Sequence, residues 1–113
     1  MAEIKRGEIW LVNLDPTIGH KIKKIRPGVI IQNDIGNKYS PITIIAPITS
    51  QRVEKIFPFE VFLFKGKGLD KDSKVLLNQI RAIDNARLVK KIGKLDSQTV
   101  IKINDAIRIS LGV

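Results

Sequence analysis

The chain has 113 residues, with 20 Lys and Arg against 11 Asp and Glu for a net charge of +9, 43% hydrophobic residues and no cysteine. That length suits one domain, spanning 1–113, which buries roughly two-thirds of the surface its unfolded form exposes. Without cysteine there is no disulfide, no thiolate nucleophile and no thiolate metal site, and the single histidine, His20, excludes a His-rich metal centre.

No apolar run approaches the ~20 residues that span a bilayer, and the opening MAEIKRGEIW lacks the apolar core of a signal peptide. A cytoplasmic chain with no membrane association is therefore expected. The basic excess points to a polyanion, RNA or DNA, or to an acidic protein partner, although a solvated charged face has the same composition.

In chain order, Glu8–Asn13 is rich in β-branched and aromatic residues and ends at the turn signal Asp15-Pro16. Gly28–Gln32 is a short apolar run followed by the turn-forming Asn33-Asp34-Ile35-Gly36-Asn37. Thr43–Ile48 predicts a third strand, in which Pro47 cannot donate to a ladder and implies an edge or a bulge. Glu60–Lys65 alternates and stops at Gly66-Lys67-Gly68, and 74–83 supplies one or two strands more. From Asp96 the period changes. Val100, Ile103, Ile107 and Leu111 recur at helical spacing, with Asp96 as N-cap, Leu95 and Val100 as a hydrophobic staple, and Gly112 as the stop. Links this short leave no room for crossover helices, so the pattern predicts a mainly β fold, a compact antiparallel barrel with helical additions.

The densest local feature is Gly19-His20-Lys21-Ile22-Lys23-Lys24-Ile25-Arg26-Pro27, which has four cationic side chains, no acid, and a predicted strand on either side. A phosphodiester lying across it would meet the point charges of Lys21, Lys23 and Lys24 and the fork of Arg26. A solvated basic loop is the alternative. His20 suits hydrogen bonding to a base or service as a general base, and equally a surface imidazole without a role. A second basic stretch, Arg81 to Lys94, also fits an exposed turn or short helix. Aromatic residues are only 5% of the chain, and Trp10, Phe62 and Phe64 fall in strand patterns where burial is expected, so a base-stacking platform has little support.

There is no glycine-rich phosphate loop and no His-Glu-x-x-His, and Asp70-x-Asp72 lacks the rest of a calcium loop. No cofactor or metal is expected. The economical chemistry left is metal-free RNA cleavage, in which the substrate's 2′-OH attacks the adjacent phosphate. An Arg and a hydroxyl residue converging on one phosphate could orient the reaction and stabilise its charge.

Several segments in fixed order resemble MazF/PemK-type toxins, the sequence-specific endoribonucleases of bacterial toxin–antitoxin pairs. They are Lys5-Arg6-Gly7-Glu8-Ile9-Trp10 with Leu14-Asp15-Pro16, Arg26–Asp34, Asn37–Pro41, Ala46-Pro47-Ile48-Thr49-Ser50 and Leu76–Asp84. The resemblance implies an SH3-like β-barrel of the CcdB/PemK type with a C-terminal helix, a homodimer, and single-stranded RNA bound in a groove across the dimer. It also implies a metal-independent cut leaving a 2′,3′-cyclic or 3′-phosphate and a 5′-hydroxyl.

Within that resemblance Arg26 and Thr49 are the catalytic pair, and Gly19, His20, Lys21, Lys23, Lys24, Pro27, Ser50, Gln79 and Arg81 contact RNA. The partner it implies is an antitoxin whose acidic, initially disordered tail folds over the groove. Lys21 is a departure, because many relatives carry an acid there, and it points to altered RNA recognition. Two other readings stay open on sequence alone: a CcdB-like gyrase poison without enzymatic activity, and a catalytically attenuated RNA-binding relative.

Overall fold

The computed structural model describes residues 3–14 and 24–113. Among these residues seven strands form: β1 (Glu8–Asn13), β2 (Ile25–Ile30), β3 (Ile42–Thr49), β4 (Glu60–Leu63), β5 (Ser73–Leu76), β6 (Arg81–Asp84) and β7 (Leu88–Lys94). The helices are α1 (Asp34–Tyr39) and α2 (Ser97–Leu111), with a 3₁₀ turn at Asn85–Arg87. The ladder runs β4-β5-β3-β2-β1-β7, with β6 also paired to β3, and every pairing is antiparallel. The fold is thus mainly β with a C-terminal helix, as the short links require.

Strand β3 is the hub. One edge pairs with β2 over Ile45–Pro47, while the other pairs with β6 over Ile42–Ile45 and then with β5 at Ile48 and Thr49. Ala46 and Pro47 fall where that second edge changes partner. Pro47 therefore marks neither an edge strand nor a bulge but a switch point in a central strand, where a residue without an N–H interrupts neither ladder on that side.

Strand alternation divides the core between two faces. Ile9, Val29, Ala46, Ile48, Val75 and Leu77 pack with Ile103 and Ala106 of α2, while Trp10, Val12, Ile30, Ile45 and Ile83 cluster on the other face. The ends of the ladder meet through backbone. A Cβ at Gly93 of β7 would collide with the Lys67 carbonyl, and one at Gly68 with the Ile92 carbonyl, so the turn after β4 packs against β7 only because neither glycine carries a side chain.

The N-terminal motif is built around a buried carboxylate. Glu8 accepts hydrogen bonds from Lys5 N–H (2.9 Å) and Trp10 Nε1–H (3.0 Å), and pairs with Lys91 Nζ at 2.8 Å. Burial by itself would raise its pKa; the hydrogen bonds from Lys91, Lys5 and Trp10 outweigh burial and hold it below the ordinary value. Arg6 ties three elements together, its Nε donating to the Ile31 carbonyl (2.8 Å), its Nη2 to Asn104 of α2 (2.8 Å) and its backbone N–H to Asp34 (2.7 Å).

Three expectations need correction. The turn-forming Asn33–Asn37 stretch opens a helix, because the Asn33 side chain accepts the Gly36 N–H (2.8 Å) as an N-cap, and turn and cap chemistry use the same residues. The basic stretch Arg81 to Lys94 is a turn or short helix only at the 3₁₀ turn Asn85–Arg87; the rest of it is β6 and β7. Its lysines are compatible with a strand because β7 is terminal in the ladder, where charged side chains are favoured. Phe64 is 79% exposed, since Val61 and Leu63 are the inward positions of β4, and it rests edge-on against Phe62 with centroids 4.9 Å apart. The helical spacing of Val100, Ile103, Ile107 and Leu111 is as expected, all four lying in α2, with Ile103 buried and Leu111 exposed in its last turn. The cap itself is as expected, with Asp96 accepting the Thr99 N–H at 2.8 Å and Gly112 in the left-handed conformation.

Gly93→Ala should cost more than about 2 kcal/mol in urea denaturation, because backbone must move to admit the methyl, whereas exposed Lys94→Ala should stay within about 0.5 kcal/mol. Glu8 sets an acid limb. Its depressed pKa gives stability that is complete above the unfolded value of about 4.3 and is lost as pH falls through the lower folded value. Glu8→Gln should therefore be less stable than wild type at about pH 7, with the gap narrowing toward about pH 3; an equal gap at both would show that the charge is not its source.

Candidate functional site

The register of β2 on β3 sets Val29 opposite Ala46 and Gly28 opposite Pro47. Continued by two residues, it brings Arg26 level with Thr49. Both line one crevice of about 550 Å³, together with Pro27, Pro47, Ser50, Gln51, Asp70, Lys71 and Ser73, over an apolar floor that includes Leu11, Ile48, Leu69 and Ile92. Residues 23 positions apart in sequence thus meet because two strand ends lie side by side.

The two side chains are suited to one anion. The Arg26 guanidinium is exposed, with Nη1 donating to the Ile25 carbonyl at 3.2 Å. Pro27 fixes the backbone dihedral immediately after it. Thr49 is the last residue of β3, and its Oγ1 accepts the Gln51 N–H at 3.1 Å. That contact uses a lone pair and leaves the hydroxyl proton as a donor. A planar cationic fork and a hydroxyl donor at one crevice match a phosphate group. Lys71 adds a positive charge. Asp70 adds a carboxylate, which repels phosphate and suits a neighbouring donor such as a sugar hydroxyl.

The other anticipated residues divide into four groups. Pro27 and Ser50 join Arg26 and Thr49 in the crevice. Lys24 is exposed and does not line the crevice, but its carbonyl accepts the N–H of Leu14, which does, at 2.8 Å. Gln79 and Arg81 are exposed but do not line it: Gln79 lies in the turn before β6, its N–H on the Leu76 carbonyl, and Arg81 opposes Ile45 of β3. Gly19, His20, Lys21 and Lys23 lie outside the described residues. The segment holding them joins Leu14, which lines the crevice, to Lys24.

Gln51, Asp70, Lys71 and Ser73 were not anticipated. The only trace of the last three in the sequence is the run of polar residues after Gly66-Lys67-Gly68. A second depression, about 760 Å³ and more open, lies between the end of β7 and α2, lined by Arg6, Lys67, Lys94, Asp96 and Val100 among others. It contains neither Arg26 nor Thr49, and its acid, Asp96, is committed to the helix cap and to Lys67 at 3.0 Å. Among the described residues no three His, Cys, Asp or Glu side chains gather as metal ligands, and no helix is long and apolar enough to cross a membrane.

Residues 5–111 match the model of the PemK-like, MazF-like toxins of type II toxin–antitoxin systems. The chain belongs to this family. It is 41% identical over 111 residues to the endoribonuclease EndoA of Bacillus subtilis, covering 97% of this chain and 96% of that protein. It is 46% identical over 111 residues to the endoribonuclease MazF of Staphylococcus saprophyticus, covering 97% and 92%.

Solved structures extend the likeness of fold. A mycobacterial endoribonuclease in complex with its cognate antitoxin superposes with a TM-score of 0.81 at 21% identity, covering 97% of this chain and 96% of that one. A MazE–MazF complex from Deinococcus radiodurans gives 0.81 at 22% identity, covering 100% and 99%.

Proposed function

We propose that this protein is the toxin of a type II toxin–antitoxin pair and acts as a metal-independent endoribonuclease on single-stranded RNA. The observation that carries the reading is the meeting of Arg26 and Thr49 in one crevice, in a chain whose curated relatives are named endoribonucleases. The same names speak against a gyrase poison.

In this reading the scissile phosphate sits between the Arg26 fork and the Thr49 hydroxyl. The ribose 2′-oxygen attacks phosphorus and forms a new P–O bond, and the P–O5′ bond breaks. The 2′-OH gives up its proton, the departing 5′-oxygen takes one, and the products are a 2′,3′-cyclic phosphate and a 5′-hydroxyl. Water can then open the ring to a 3′-phosphate. Arg26 and Thr49 stabilise the charge that builds on the equatorial oxygens, which a fixed cation and donor do without reorganising. The permanent charge of arginine suits it to this task better than to proton exchange. Pro27 and Ser50 shape the phosphate site, while Lys24, Gln79 and Arg81, with Gly19, His20, Lys21 and Lys23, contact flanking nucleotides.

The working form is a cytoplasmic homodimer whose cationic groove takes RNA. An antitoxin with an acidic tail that orders on binding competes for the same groove in this reading; two of the structural relatives were solved in complex with their antitoxins.

Purified protein in EDTA should cut a long RNA at a short recurrent sequence, giving new 5′-hydroxyl ends. Arg26→Ala should lower the rate by at least about 100-fold, and Thr49→Val more than Thr49→Ser, in keeping with the loss of a donor aimed at transition-state charge. Intact RNA, or equal cutting by Arg26→Ala, would defeat the reading. Lys21→Glu, which restores the acid many relatives carry, should shift the cleavage-site profile; an identical profile would remove Lys21 from recognition.

A further inference from the structure

Ten residues, 50–59, connect Thr49 to β4. They begin at the crevice, where Ser50 and Gln51 line its wall, and contain no helix or strand of their own. Arg52 adopts a left-handed backbone conformation (φ 53°), which a non-glycine residue holds only when its surroundings impose it.

What holds this arm is a buried ion pair. Lys74, directly opposite Thr49 in the β3–β5 ladder, sends its Nζ to Glu60 Oε1 at 2.8 Å and to the Lys55 carbonyl at 3.1 Å. The same Glu60 oxygen accepts the Phe57 N–H at 3.0 Å, and the ammonium lies 5.9 Å from the centre of the Phe57 ring. The side chains of Lys74 and Glu60 are only 6% and 7% exposed. Burial alone would raise the Glu60 carboxyl; the hydrogen bonds from Lys74 and Phe57 and the lysine charge bring it below its usual value instead. One ion pair therefore grips the arm's backbone at Lys55 and Phe57, from a strand residue whose cross-strand neighbour is Thr49.

We infer that Lys74 and Glu60 are positioning residues for the cleavage reaction. Their ion pair clamps the 50–59 arm so that Gln51 N–H stays on Thr49 Oγ1 and the hydroxyl proton stays aimed into the crevice. The inference rests on the ribonuclease reading and adds two residues that touch neither the phosphate nor the bases. The clamp acts on turnover rather than on RNA affinity, because it orients one donor and leaves the cationic groove unchanged.

Removing one partner alone strands a buried charge and endangers folding, whereas replacing both with apolar residues of similar size is often neutral. The test therefore uses the double variant Lys74→Met/Glu60→Leu beside wild type, on a single-stranded RNA carrying one mapped cut site. The double variant should unfold as cooperatively as wild type. Its kcat should fall about tenfold with KM within about twofold, and hydrogen exchange at the Gln51 amide should quicken about tenfold. In a Thr49→Ala background the same two substitutions should change kcat by less than about twofold, because the group they position is gone. Unchanged exchange at Gln51, wild-type kcat in the double variant, or a full tenfold cost without Thr49 would each overturn the inference. If wild-type protein leaves RNA intact, the ribonuclease reading falls by itself, and Gln51 exchange alone decides whether the pair clamps the arm.

Discussion

The register of β2 against β3 is the constraint on which the rest of this structure depends. Val29 opposite Ala46 belongs to the core face under α2, and Ile30 opposite Ile45 belongs to the other face. A slip of one residue would exchange the two faces and expose both sets, so hydrophobic burial specifies the register strongly. Arg26 and Thr49 lie beyond the paired residues, and their alignment follows from apolar contacts deeper in the sheet. The polar site is thus positioned by the core without contributing to its stability.

Strand β3 extends that control along the chain. Its second edge serves β6 and then β5, so residues from the β2, β3 and β5 neighbourhoods converge where Thr49 ends the strand. The glycines at 68 and 93 let the turn after β4 reach β7, and Asp70, Lys71 and Ser73, further along the connection from that turn, form part of the crevice wall. The site is accordingly a junction of strand ends and loops on a rigid ladder, the arrangement in which loops carry function and strands hold them in place.

Charge is divided by the same architecture. Glu8 is spent on Trp10 and Lys91, Glu60 on Lys74, Asp34 on the Arg6 N–H and Asn37, and Asp96 on a helix cap and Lys67. Each of these acids has a lowered pKa. Three of these acids are paired with Lys91, Lys74 and Lys67, so the pairing leaves the chain's excess of +9 intact, a balance that favours a polyanion.

Local chemistry was legible wherever a residue's role depends on its near neighbours. The β-branched and aromatic run Glu8–Asn13 marked β1 to the residue, and Asp96, Leu95, Val100 and Gly112 marked α2 and its caps, because strand propensity and capping are properties of a few consecutive positions. Two local signals were ambiguous. Asn33 caps a helix with the chemistry that otherwise makes a turn, and the lysines of β7 belong to a strand only because that strand is an edge. The sequence alone also determined what the protein lacks, namely thiols and a second imidazole, and, through its family pattern, which Arg and Thr to watch. It could not place Gln51, Lys71 or Ser73 beside them, nor show that Lys74 and Glu60 clamp the arm after Thr49. Those relations join positions far apart in the chain. They are decided by which strands pair and in what register, and so by the collective burial of the core rather than by any local pattern.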